Sequence, residues 1–255
     1  MNAIELKRVS LRYRLRGVKV PRGKQRVQQG GGGGELRVVG KEMVVDALNN
    51  VSLCIRPGER VGLVGHTGAG KSTLLRVMAG VFKPQKGEVT VSGEVTCLFD
   101  RMLGMDRTLN AYQNVLVKGT VMGYSRREIE ARMADILAVA DLGDFADIEV
   151  RHYAAGMAAR LGFVIATAFP CDIVLIDEWA GVGDRRFRKT ARERLAQLAR
   201  DSGTVVMASH NLALLRENCE RVIQLEHGHV VYDGPVPDRL ASLDGGDDGD
   251  EEDDE

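Results

Sequence analysis

Nine consecutive residues, Gly65-His66-Thr67-Gly68-Ala69-Gly70-Lys71-Ser72-Thr73, put three glycines, one lysine and two adjacent hydroxyls into one short stretch. Glycines at 65, 68 and 70 let the backbone bend and be approached where a side chain would intrude. The N–H groups of such a turn, and of a helix starting just after it, converge on one small volume that attracts phosphate oxygens. Lys71 supplies the cation for β- and γ-phosphates, and the Ser72 hydroxyl suits Mg²⁺. The spacing Gly-x-x-x-x-Gly-Lys-Ser meets every fixed position of the P-loop pattern. The chemistry implied is the holding of a nucleoside triphosphate.

Phosphoryl transfer to water needs three further groups: a metal anchor, a group that orients the water, and a sensor of the γ-phosphate. Asp177 ends the apolar run Ile173-Val174-Leu175-Ile176 and is the expected metal partner of Ser72. Glu178 follows it and is placed to act as general base. His210 closes the next apolar run, Val205 to Ala208, and could bond both the γ-phosphate and the water. No Asn-Lys-x-Asp segment occurs, which excludes the usual guanine reader.

These groups require particular elements behind them. Val61–Val64 reads as a buried strand feeding the glycine turn, and Leu74–Met78 as the helix leaving it. Arg56-Pro57-Gly58-Glu59 is a tight turn before that strand. The two apolar runs at 173–176 and 205–208 read as parallel strands, whose carboxyl ends hold ligands in α/β folds. A helix over about 184–200 joins them, and a hairpin follows, Val222–Glu226 and His229–Tyr232. Upstream, residues 4–13 alternate as an edge strand of an antiparallel sheet, and 43–48 and 51–55 read as strands around a turn. Gly87 to Leu98 is again strand-like. From about 103 to 150 the pattern is helical, with a capping box at Ser125-x-x-Glu128 opening a helix that Gly143 ends, and an apolar helix spans 157–169. The fold expected is an α/β parallel-sheet core with an N-terminal antiparallel β subdomain and an inserted helical subdomain over about 102–156.

In this order, with Tyr153-Ala154-Ala155-Gly156-Met157 before Asp177-Glu178 and Gly181-Val182-Gly183-Asp184 after it, the chain resembles the nucleotide-binding subunits of ABC transporters. The resemblance covers roughly residues 1–240 and makes the core a RecA-like P-loop NTPase. Within that family it is most similar to the ATPases that export O-antigen, capsule or teichoic acid chains. Those carry Tyr-Ser-Ser-Gly-Met at the signature and Ala-Val-Gly-Asp after the catalytic glutamate. The resemblance implies ATP and Mg²⁺ as cofactors and a head-to-tail homodimer with two ATP molecules between the copies. Gly65 to Thr73, Asp177, Glu178 and His210 of one copy would face Tyr153 to Met157 of the other, with Asp184 as the D-loop residue linking the sites. It further implies a separate ABC-2-type transmembrane permease as partner, a peripheral position on the cytoplasmic face of the inner membrane, and no nucleic acid. Other readings are an exporter of drugs or lipids, and a nucleotide switch that hydrolyses weakly. Tyr13 falls where the family stacks an aromatic ring on adenine; a packed edge-strand tyrosine is the other reading.

Three positions depart from the family pattern. Ala154 replaces the signature serine, Asp100-Arg101 stands where a Q-loop glutamine is expected, and Trp179 replaces the usual proline after the glutamate. Asp100 could serve the metal as the glutamine carbonyl would.

The bulk composition is that of an ordinary globular protein, and the formal net charge of −1 over 255 residues hides two opposed ends. The last twelve residues hold nine carboxylates, leaving 27 acids against 35 bases in the rest. Such a tail, over 241–255, is expected to be disordered. The first 26 residues hold nine bases and the single acid Glu5, a segment suited to anionic lipid or simply to solvent. Five glycines, Gly30 to Gly34, mark a mobile insertion over about 17–36. Four dispersed cysteines without a Cys-x-x-Cys pair point to a reducing compartment. No signal peptide is evident, and the longest apolar stretch is broken by Pro170-Cys171-Asp172, so no membrane span is expected.

Overall fold

Alternation of Ile4, Leu6, Val9 and Leu11 buries one face of the first strand, β1 (Ile4–Leu15). The computed structural model describes residues 2–15, 35–39, 42–99, 104–177 and 185–237. The chain then runs through β2 (Glu35–Val39), β3 (Glu42–Ile55), β4 (Arg60–Val64), α1 (Lys71–Met78) and β5 (Lys86–Val91). A central stretch holds β6 (Val95–Leu98), α2 (Ala111–Val121), α3 (Arg126–Ala140), α4 (Ala155–Ala166), β7 (Ile173–Asp177) and α5 (Arg185–Ser202). Last come β8 (Thr204–Ala208), α6 (Leu212–Asn218), β9 (Arg221–Glu226) and β10 (His229–Pro235). Two compact units result, residues 1–92 with 206–255 and residues 93–205.

The first unit contains an antiparallel sheet in the order β2-β3-β1-β5 and a run of strands β10-β9-β4-β8, in which β4 and β9 are parallel. β1 is not an edge strand. Ile4 sits opposite Ile55 of β3 on one side and Val91 of β5 on the other. Gly87, at φ +84°, permits this, because a β-carbon there would lie 2.4 Å from the Lys7 carbonyl oxygen. Residues 42–55 likewise form one long strand rather than two about a turn. The phase break at Asn49-Asn50 is absorbed by Asn50 at φ +54°, whose N–H bonds Ser10 Oγ at 3.0 Å, and by register shifts in β1. Asparagine tolerates this left-handed conformation better than most residues. The Arg56–Glu59 turn forms as expected, with Gly58 at φ +86°. Glu35-Leu36, expected within the glycine-rich insertion, open β2.

In the second unit β6 and β7 are parallel neighbours, Val95 facing Ile173 and Leu98 facing Ile176. The stretch 87–98 is therefore two strands of different sheets, broken at Gly93 (φ +118°), where the Asp172 carboxylate accepts the Glu94 N–H at 2.8 Å. Ser125 and Glu128 form the capping box expected for α3. That helix ends on Asp141 in the left-handed region, with Gly143 two residues on. α2 carries a second box, Asn110 with Gln113. α4 is apolar nearly throughout, burying Leu161, Phe163, Val164 and Ile165. Parallel and antiparallel pairing together with these helices make the fold mixed α/β.

Candidate nucleotide site

Within the first unit, β4 is buried from Val61 to Val64 and delivers the chain to the glycine turn. Gly65, Gly68 and Gly70 all take positive φ, at 140°, 81° and 112°. At two of them space as well as backbone angle demands glycine. A β-carbon at 65 would lie 2.2 Å from the Leu225 carbonyl oxygen, and one at 70 would lie 2.7 Å from that of Ala47. The turn is pressed between β3 and β9 and cannot accept a larger residue without moving both. α1 then starts at Lys71 with Gly70 as N-cap and no side-chain cap, so the cap supplies no side-chain oxygen to the first-turn N–H groups.

Lys71 is 5% exposed, and its Nζ donates to the carbonyl oxygens of Gly65 (2.5 Å) and His66 (3.2 Å). Burying an ammonium is costly unless such partners surround it. His210 Nε2 lies 3.5 Å from the same Nζ, which brings together the two residues that the sequence placed 139 positions apart. Ser72 and Thr73 are half-buried on α1. Thr73 Oγ1 is 3.1 Å from the Tyr13 hydroxyl, and the Tyr13 ring stands edge-on to Phe82 at 5.8 Å. Tyr13 is thus tied to the glycine-loop helix. His66 Nδ1 donates to the Thr67 carbonyl at 2.9 Å. Ala69 is fully buried, and its carbonyl accepts the Gly228 N–H at 2.9 Å.

The sequence predicts no more than a hairpin turn at His227-Gly228, between β9 and β10. In the fold it braces the loop. The His227 ring lies 4.8 Å from that of His66, and the Gly228 carbonyl accepts the Asn49 N–H at 2.9 Å. Only the glycine at φ +80° in a two-residue turn hinted at this, and such a turn does not reveal what it packs on.

In the second unit, Asp177 ends β7 half-buried after four fully buried residues. Ala154 is the N-cap of α4, extended at φ −60°, ψ 149°, with no side-chain hydrogen bond. Ala154, Ala155 and Gly156 are exposed, and Met157 half-buried. The Tyr153 hydroxyl donates to the Phe145 carbonyl at 2.6 Å, and burial raises its pKa, with Asp147 adding to the effect. Glu178, Trp179, Asp184 and Asp100-Arg101 lie outside the described residues, as do Gly30 to Gly34 and the acidic tail.

The donors on Ser72 and Asp177 are a hydroxyl and a carboxylate, hard oxygen ligands of the kind Mg²⁺ takes beside phosphate oxygens and water. Among the described residues no helix is long and apolar enough to cross a membrane.

Known proteins agree with these features. A family model described as ABC transporter matches residues 48–181. The O-antigen export system ATP-binding protein RfbE of Yersinia enterocolitica is 39% identical over 208 residues, which are 82% of this chain and 86% of that protein. RfbB of Myxococcus xanthus, of the same description, is 35% identical over 73% of this chain and 43% of its own length. The teichoic acids export ATP-binding protein TagH of Shouchella clausii is 38% identical over 72% of this chain, and the chain spans 51% of it. Among solved structures, the dimeric form of a bacterial ABC transporter cassette superposes with a TM-score of 0.68 at 24% identity, over 92% of this chain and 99% of that one. The ADP- and phosphate-bound dimer of an ATP-binding cassette gives 0.67 at 24% identity, again over 92% and 99%. The chain belongs to the ABC transporter family, as its ATP-hydrolysing cassette subunit.

Proposed function

We propose that this subunit hydrolyses ATP to drive export of a lipid-linked polysaccharide or polyol-phosphate polymer through a separate transmembrane permease of the ABC-2 type. It works as a homodimer on the cytoplasmic face of the inner membrane. The observation that carries the polymer assignment is the 39% identity to an O-antigen export ATP-binding protein over 86% of that relative's length.

The glycine loop and Lys71 hold the triphosphate, with Tyr13 against the base. Lys71 exchanges its contacts with the Gly65 and His66 carbonyls for phosphate oxygens. Ser72 and Asp177 would hold Mg²⁺, which would neutralise phosphate charge when bound. Glu178 takes a proton from the attacking water, and His210, 3.5 Å from Lys71 Nζ, orients that water and the γ-phosphate. Asp184 carries the D-loop role between the two sites. Tyr153 to Met157 of the second copy close over the nucleotide. One feature of α4 favours this closure. Gly156 is exposed in the first turn, its φ is not positive, and a β-carbon there would meet nothing within 4 Å. Among the described residues no neighbour requires a glycine there, whereas close approach to an external ligand would.

The test is co-purification with the permease and reconstitution into vesicles. Turnover that rises with a lipid-linked glycan, and vanishes in Lys71→Ala, is the expected result. Turnover indifferent to glycan but responsive to drugs or ordinary lipids overturns the polymer assignment. Negligible turnover even with the permease would instead favour the weakly hydrolysing switch, a reading that the missing hydroxyl at Ala154 supports.

A further inference from the structure

Asn114 lies in the first turn and a half of α2 and is 3% exposed, an unusual place for a side-chain amide. Asparagine is a poor helix-interior residue because its side chain competes for backbone hydrogen bonds. Here that competition is put to use. Its Oδ1 accepts the Asp106 N–H at 2.8 Å. Its Nδ2 donates to the carbonyls of Asp106 (3.0 Å), Asn110 (2.9 Å) and Leu109 (3.2 Å). Two hydrogens serve three acceptors, so one hydrogen is shared, and the amide's whole donor capacity goes into the 106–110 turn.

That turn is a strut for something else. The Leu109 carbonyl, already held by Asn114, also accepts the Val150 N–H at 3.0 Å. The Arg107 carbonyl accepts the Arg151 N–H at 2.8 Å. Val150 is 2% exposed, and its own carbonyl accepts the Tyr153 N–H at 3.0 Å. Tyr153 opens the segment whose next residue caps α4. An unbroken hydrogen-bonded path therefore runs from the Asn114 amide through Leu109 and Val150 to the signature, all inside the second unit.

We infer that Asn114 is a positioning residue for the signature: through the 106–110 strut it fixes where the start of α4 is presented to the nucleotide of the second copy. This rests on the reading of the signature given above. The amide never touches ATP. Loss of its clamp frees the strut, and the closure step then carries the entropy of ordering the 150–154 segment.

The test compares Asn114→Ala with the parent protein in three measurements. Binding of a fluorescent ATP analogue at dilutions where the protein is monomeric should change by less than about twofold. Dimerisation driven by ATPγS, followed by sedimentation velocity, should weaken by about tenfold or more, which corresponds to about 1.4 kcal/mol. Steady-state kcat should fall with it while KM stays nearly constant, and amide exchange at Val150 and Arg151 should accelerate. If Asn114→Ala proves too unstable to purify, Thr108→Val serves. It removes only the exposed hydroxyl that donates to Asp106 Oδ1 at 2.7 Å in the same turn, and a smaller weakening of dimerisation is expected. Unchanged dimerisation and turnover in the folded variant overturn the inference, as does an equal loss of monomer nucleotide binding. Gly156→Asp separates the two levels. If it abolishes dimerisation while Asn114→Ala does not, the positioning role alone fails; if it too has no effect, the signature reading fails.

Discussion

Ala154 departs from the signature pattern that the family resemblance implies. It stands at the N-cap of α4 and supplies neither a cap for the helix's free N–H groups nor a hydroxyl for a neighbouring phosphate. A serine N-cap is worth about 1 kcal/mol over alanine, and a hydrogen bond to a charged group about 1.5–3 kcal/mol. Ala154→Ser is expected to stabilise the second unit by the first amount and to raise ATP-dependent dimerisation and turnover through the second. Chemical denaturation and a steady-state ATPase assay read the two separately. A gain in stability with no change in turnover would show that the hydroxyl acts as a cap only. Lys71 offers the contrasting case. The glycine spacing alone predicts a phosphate-binding role for it, yet its contact with His210 depends on which strands lie side by side.

At the scale of elements, two glycines on helices serve opposite ends. Gly156 lies in the first turn of α4, and a β-carbon there would meet no described residue within 4 Å. Gly119, late in α2, lets α3 approach: a β-carbon there would lie 2.6 Å from Ile129 Cγ1 and 2.9 Å from Phe169 Cζ. Alanine in place of glycine gains about 1 kcal/mol of helix propensity, but overpacking of a filled site costs about 1–3 kcal/mol. Gly119→Ala should therefore destabilise the folded protein or leave it no better, while Gly156→Ala should fold at least as well as the parent. Thermal unfolding of the pair decides the point, and a stabilised Gly119→Ala would mean that Ile129 can move aside. Neither outcome is written in the sequence around 119, where the glycine looks like a flaw in an otherwise helical run. The capping box at Ser125 was legible because its residues are local. The box at Asn110 has the same spacing, with asparagine in place of serine and glutamine in place of glutamate.

For the whole molecule, thiols raised by burial contribute to a loss of stability at alkaline pH. Burial pushes the Cys97 thiol from 9.0 up to about 11 and that of Cys219 from 9.0 up to about 12, while Cys171 is raised too. In the unfolded chain these groups lose their protons near 9.0; in the folded chain they keep them. Above that pH the unfolded state binds fewer protons, so stability is intact below 9 and declines as pH rises toward 11 and 12. Each thiol adds a slope of up to about 1.4 kcal/mol per pH unit. Denaturant midpoints measured from pH 8 to 11 should fall, and Cys219→Ala should flatten the decline even if it lowers stability at neutral pH. An unaltered slope in that variant would assign the alkaline loss to other groups. Of the four cysteines, Cys54 is exposed, Cys97 half-buried, and Cys171 and Cys219 buried.

The sequence itself predicts a chemistry wherever the candidate groups are contiguous or end an apolar run. Glycine spacing specifies a phosphate loop because backbone conformation and residue size are local properties, and Asp177 is announced by the four apolar residues before it. The family followed from the order of such segments. Tertiary structure decided what depends on residues far apart in the chain. It placed β1 between two partners, made one strand of residues 42–55, braced the glycine loop with the His227-Gly228 turn, and joined Asn114 to the signature through two turns of backbone. Hydrogen bonds between backbone groups carry no residue signature, so a strut built from the carbonyls of Arg107 and Leu109 leaves no mark on the sequence except the one buried asparagine that holds it.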